Sequence, residues 1–123
     1  MIPPVDVFLR GYVHFTRARG VSSRCDEARV AEALGEAAAL AAERPEDEPA
    51  ALMYALSMRP RALPEGWVFV ARCADNLARV YLRAELVLDE PDELDMLRLR
   101  VFAKQATFED MRAFLAARLR PLG

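Results

Sequence analysis

The sequence predicts an all-α protein: a compact bundle of about six helices around one central apolar helix, forming a single helical domain over residues 1–123. Three observations lead there. Apolar residues recur at i, i+3, i+4 and i+7 in most segments between turn signals. Hydrophobic residues make up 54% of the chain and charged residues 29%, the balance of a globular rather than a disordered chain. At 123 residues the chain can bury a core without staples.

The first helix is predicted from about Pro4 to Ala18, with Phe8, Tyr12 and Phe15 on one face, Leu9 and Val13 beside them, and Gly20 as the stop. The second opens after "VSSRCDEA", where Ser22, Ser23 or Asp26 caps the first turn, and runs to about Arg44. Val30, Ala33, Leu34, Ala37, Leu40 and Ala41 keep helical spacing along it, and "RPEDEP" is read as the loop that follows. The third runs from about Glu48 to Met58, with Leu52, Met53 and Leu56 as core candidates. Pro49 suits a first helical turn, and Pro60 cannot continue the helix.

After Gly66 comes the longest apolar stretch, Trp67 to Leu88. "WVFVA" has strand propensity, yet Trp67, Val70, Ala71, Ala74, Leu77, Ala78 and Tyr81 keep helical spacing. A second stripe of Phe69, Cys73, Asn76 and Val80 makes the helix apolar on two sides, the mark of a buried helix, so this one is placed at the centre. "LVLDEPDE" ends it in a short extended piece. The fifth helix starts near Pro91 with Asp89 as its cap and carries Leu94, Leu97 and Val101. The sixth opens on Thr107, with Asp110 in the place of the capping-box acid. Met111, Leu115 and Leu119 face inward, and Pro121 ends it.

Charge and composition narrow the function. The net charge is −2 and the pI near 5.5, so there is no basic excess for phosphate contacts and nucleic acid is not the expected partner. Lys104 is the only lysine beside sixteen arginines, a bias that reads as a GC-rich bacterial genome rather than as a phosphate site. No signal-like leader or apolar run of about 18 residues is present, so a cytoplasmic protein with reduced thiols and no membrane partner is expected.

His14, Cys25 and Cys73 lack the spacing of a metal set, and no metal is expected. The cysteines are read as small buried hydrophobes. The acidic runs "ERPEDEP" and "LDEPDELD" lack the turning glycine of a cation loop and are read as solvated loops and helix caps. Arg72, Arg79 and Arg83 share a stripe, which makes either an anion site or ion pairs with Asp75, Glu85 and the acidic loops.

"VSSRCDEARVAEAL", "AALMYALS", "LVLDEPDEL" and "ATFEDMRAFLAARL" occur in the order and at the spacing of the Fic/Doc family. Over nearly its whole length the chain resembles the short Doc-type toxins of toxin–antitoxin modules. In that family the loop after A-L-x-Y-x-L carries HPFxxGNxR, whose histidine is the general base for a target hydroxyl and whose glycine, asparagine and helix N-terminus hold nucleotide phosphates. The resemblance therefore implies transfer of AMP or phosphate from a nucleotide with magnesium to a protein hydroxyl.

The loop "RPRALPEG" departs from that motif. Arg59 stands where the histidine would, Pro60 is kept, and Arg61 replaces the aromatic residue. Gly66 has no asparagine beside it, and Arg72 matches the last arginine only across a gap. A guanidinium does not accept a proton near neutral pH, and loss of a general base costs about 10²–10⁴-fold in rate. Three readings follow. The first is a catalytically degenerate Doc-like protein that binds a protein partner such as an antitoxin or a translation factor and needs no cofactor. The second is an active transferase using ATP or another nucleotide with magnesium, with Arg59, Arg61 and Arg72, and with them Gly66, as phosphate ligands. The third is a helical interaction module or homo-oligomer unrelated to that family.

Overall fold

The computed structural model describes residues 1–64, 66–88 and 91–123. Helix α1 (Val5–Ala18) presents Phe8, Tyr12, Phe15 and Thr16 to the interior. It ends in a Schellman turn: Gly20 takes φ of +68°, its N–H donates to the Arg17 carbonyl, and the Val21 N–H donates to the Thr16 carbonyl. Helix α2 (Glu27–Leu40) is capped by Asp26, whose carboxylate accepts from the Arg29 N–H at 3.2 Å. It stops four residues short of the predicted Arg44. A short 3-10 turn (Pro45–Asp47) takes part of the expected loop and leads into α3 (Glu48–Ser57). Helix α4 (Trp67–Leu82) includes "WVFVA", which is helical and not a strand. Strand β1 (Ala84–Leu86) follows, then α5 (Pro91–Phe102), α6 (Phe108–Ala116) and strand β2 (Leu119–Pro121). The predicted Asp89 cap lies outside the described residues.

The bundle does have one central apolar helix, but that helix is α3, not α4. Every residue of α3 except Tyr54 is buried, and α3 packs against α2, α4, α5 and α6. Helix α4 is one-sided: Phe69, Val70, Ala74, Leu77 and Ala78 are buried, while Asn76 is exposed and Val80 is 70% exposed. The second stripe on α4 therefore dissolves after Phe69 and the half-buried Cys73. The elements that pack on α4, chiefly α3 and β1, leave that side in solvent. Phe69 itself seals α1 to α4, with its ring 5.2 Å from Phe8, 5.9 Å from Tyr12 and 5.5 Å from Phe15.

The C-terminal segment also differs from expectation. Leu119 and Pro121 do not extend or terminate α6; they form β2, which pairs antiparallel with β1 in the register Ala84 to Pro121 and Leu86 to Leu119. Asp75 fixes this ribbon to α4, accepting from the Leu86 N–H at 2.8 Å and from Arg79 Nε at 2.9 Å. The other expected core positions, Leu94, Leu97, Val101, Met111 and Leu115, are all buried.

The start of α6 is the local structure most directly written in the sequence. Thr107 Oγ1 accepts from the Asp110 N–H at 3.2 Å, and the Asp110 carboxylate accepts from the Thr107 N–H at 2.7 Å. Aspartate replaces the usual glutamate and still closes the reciprocal pair. Thr107→Ala is expected to destabilise the fold by about 1 kcal/mol in urea unfolding. An unchanged midpoint would mean that the box contributes nothing.

Candidate functional site around the loop after the central helix

Helix α3 must end before Pro60, because a proline restricts the residue before it and offers no N–H. The loop that follows is firmly held. Ala62 and Leu63 are buried, and the Ala62 carbonyl accepts from the Asp26 N–H at 2.9 Å. The loop is thus tied to the start of α2.

Arg59, at the predicted position of the missing histidine, is clamped. Its guanidinium lies 2.7 Å from Glu36 and 3.6 Å from Glu32 on α2, and it donates to the Ala55 carbonyl at 3.0 Å. Arg61 is exposed and makes no ion pair among the described residues. Arg59 and Arg61 line one cavity of about 280 Å³, together with Arg29, Met58, Pro60 and Phe102.

The other two candidates are not brought there. Gly66 is buried at the start of α4, and its N–H donates to the Leu63 carbonyl at 3.1 Å, so that amide is already taken. Arg72 lies on the α1 side of α4, with its guanidinium 5.2 Å from the Phe15 ring centre. Among the described residues the walls of the 280 Å³ cavity supply no carboxylate or imidazole to a magnesium ion, and the Gly66 amide is engaged elsewhere. The described residues therefore do not fit a magnesium-nucleotide complex held as in the Fic/Doc motif.

Of the rest of the arginine stripe, Arg79 is ion-paired, meeting Asp75 at 2.9 Å and Glu85 at 3.3 Å, whereas Arg83, in the left-handed conformation at the end of α4, makes no ion pair among the described residues. In the acidic run, Asp47 bridges Arg112 at 3.1 Å and Arg44 at 3.7 Å, while the buried Glu48 accepts from the Ile2 N–H at 2.8 Å. His14 is exposed on α1. Among the described residues no three His, Cys, Asp or Glu side chains converge as a metal site, and no helix is long and apolar enough to cross a membrane.

Both thiols are free and half-buried. Burial pushes the Cys73 thiol up to about 11, and burial, then Glu27 and Asp26, raises that of Cys25. At pH 8 only roughly one Cys73 in a thousand is thiolate, and the thiolate is the reactive species. A disulfide reagent at pH 8 is expected to modify Cys73 far more slowly in the folded protein than after unfolding. Equal rates in the two states would contradict this placement.

Sequence reasoning missed the neighbouring face of α5. Met96, Leu99 and Phe102 are 60%, 64% and 54% exposed, opposite the buried Leu94, Leu97 and Val101. The signal was present: "DELDMLRLRVFAK" carries two apolar stripes, the same feature that pointed to α4. A second cavity of about 480 Å³ lies along this face, lined by Ser57, Pro60, Asp95, Arg98, Leu99 and Phe102. Arg98 sits with its guanidinium 3.5 Å from the centre of the Trp67 ring and pairs with Asp95 at 2.9 Å. Burial pulls its pKa below the ordinary arginine value, against the hold of Asp95.

No family model, curated protein or solved structure matches the chain, and the Fic/Doc resemblance rests on the quoted segments alone.

Proposed function

We propose that this chain acts by binding a protein partner, as a Doc-like domain related to toxin–antitoxin modules that has lost its proton acceptor. The observation that carries this reading is the exposed ridge of Met96, Leu99 and Phe102 on α5, beside the loop that would hold the reactive corner. Contiguous apolar side chains left in water mark interaction surfaces. The reading is also supported by Arg59, a permanent cation held between two α2 carboxylates and a backbone carbonyl. Such a group cannot serve as the base for a hydroxyl.

A second reading, the nucleotide-dependent transferase, draws support from Arg29, Arg59 and Arg61 lining a common cavity. Guanidinium groups suit phosphate stabilisation. Magnesium and ATP, supplied with a translation extract and a radiolabel, separate the two. Partner binding predicts no labelled protein and no thermal shift of the purified chain. A nucleotide at a hundred times its dissociation constant would stabilise the chain by about 2.7 kcal/mol. Label transfer that disappears in Arg59→Ala would overturn the binding reading.

A further inference from the structure

We propose that the groove between the loop after α3 and the outer face of α5 docks an acidic, apolar peptide segment of a partner protein, with one of its carboxylates seated at Arg98. The proposal rests on the partner-binding reading and specifies the partner's chemistry.

The two cavities share Pro60 and Phe102 as walls, so they lie side by side and together form the groove meant here. Among the described residues its walls carry Arg29, Arg59, Arg61 and Arg98 and the carboxylate of Asp95, with Asp26, Glu32 and Glu36 beside the first two arginines, in a chain whose net charge is −2. Three of these arginines have acidic neighbours: Arg29 has Asp26 at 3.4 Å, Arg59 has both Glu36 and Glu32, and Arg98 has Asp95. Arg61 has none among the described residues, so one end of the groove presents an uncompensated cation.

At the other end the shortage is of hydrogen-bond acceptors. Trp67 Nε1 and Arg98 Nε are both buried without a hydrogen-bond partner, and they belong to two stacked side chains. Both groups can only donate. Buried donors without partners are rare and costly, so Arg98, which lines the groove while Trp67 lines neither cavity, marks a place where an acceptor is wanted. A carboxylate offers several acceptor sites and meets arginine in a charge-assisted pair.

Between these ends lie Leu99, Phe102 and Pro60, which an inorganic anion would leave exposed to water. An apolar side chain flanked by acidic residues covers both kinds of surface. A second copy of this chain fits less well, because a two-fold contact sets the same patch against itself and brings Arg61 and Arg98 toward their own counterparts. The unpaired Arg61 and the acceptor-poor Arg98 thus select an acidic segment from a different protein.

Selection of a phage-displayed random dodecapeptide library on the immobilised full chain tests this. Synthetic versions of the enriched peptides are then measured by fluorescence anisotropy. Enriched peptides are expected to place Asp or Glu beside Leu, Ile, Phe or Trp. Leu99→Asp, Arg61→Glu and Arg98→Gln should each weaken binding roughly tenfold or more, and the exposed Val80→Asp on α4 should leave it unchanged. Leu99→Asp and Arg61→Glu alter exposed side chains, so a folding defect in Arg98→Gln does not blunt the test. Enriched peptides without acidic residues, or binding indifferent to these substitutions, overturn the inference and leave partner binding standing. If no peptide is enriched, the inference falls, while partner binding stands or falls with the label-transfer assay above. Binding to phosphatidylglycerol vesicles that is lost in Leu99→Asp assigns the face to a membrane surface and overturns the proposal. A dimer in sedimentation velocity that the same substitution dissociates assigns it to a second copy, with the same result.

Discussion

Leu52→Ala is expected to destabilise the protein by about 2–5 kcal/mol, the range for truncating a large aliphatic side chain that is fully enclosed. Leu52 is completely buried in α3, which packs against four other helices. No single neighbour can collapse into the space that a truncated side chain leaves there, so the cavity term persists. Val80→Ala on α4 is expected to stay within about 0.5 kcal/mol of the parent, since Val80 is 70% exposed. Urea unfolding of the two variants compares the helices directly. If the two effects were similar, or if Val80→Ala were the costlier, α4 would be the organising helix after all.

Gly66→Ala is expected to cost about 1–3 kcal/mol through overpacking. A Cβ at this position would lie 2.7 Å from Leu63 Cβ and 2.9 Å from Tyr12 Cε1. Neither neighbour is the free end of a flexible chain. Leu63 Cβ moves only with its backbone, and Tyr12 is fully buried with its hydroxyl donating to the Arg24 carbonyl at 2.8 Å. The backbone of Gly66, at φ of −101°, is one that alanine can adopt, so the cost is steric and not conformational. A melting temperature unchanged by Gly66→Ala would show that the turn into α4 can shift freely. The glycine that the resemblance offers as a phosphate ligand is therefore needed for close packing between α1 and the turn before α4.

The candidate site was legible in part. The break at Pro60 and the loop after it follow from proline chemistry and could be read directly. That Arg59 would be held by Glu36 and Glu32 could not, because those carboxylates come from α2, more than twenty residues earlier. Arg98 and Trp67 were missed for the same reason: one begins α4, the other lies in α5, and only the packed bundle stacks them. Arg72 was grouped with Arg61 by motif alignment, yet it meets Phe15 on α1 instead.

By itself the sequence determined the six helices, most of their inward faces and the cap at Thr107, and it narrowed the cap of α2 to Ser22, Ser23 or Asp26. These depend on spacing along one helix and on hydrogen bonds that reach three residues. Only the tertiary structure decided which helix is central, that the last residues form a strand against β1, and that one face of α5 stays in water. An apolar stripe records that a surface prefers cover, but whether cover arrives depends on partners far away in the chain. Met96, Leu99 and Phe102 have the same local pattern as a buried face and differ only in what packs beside them.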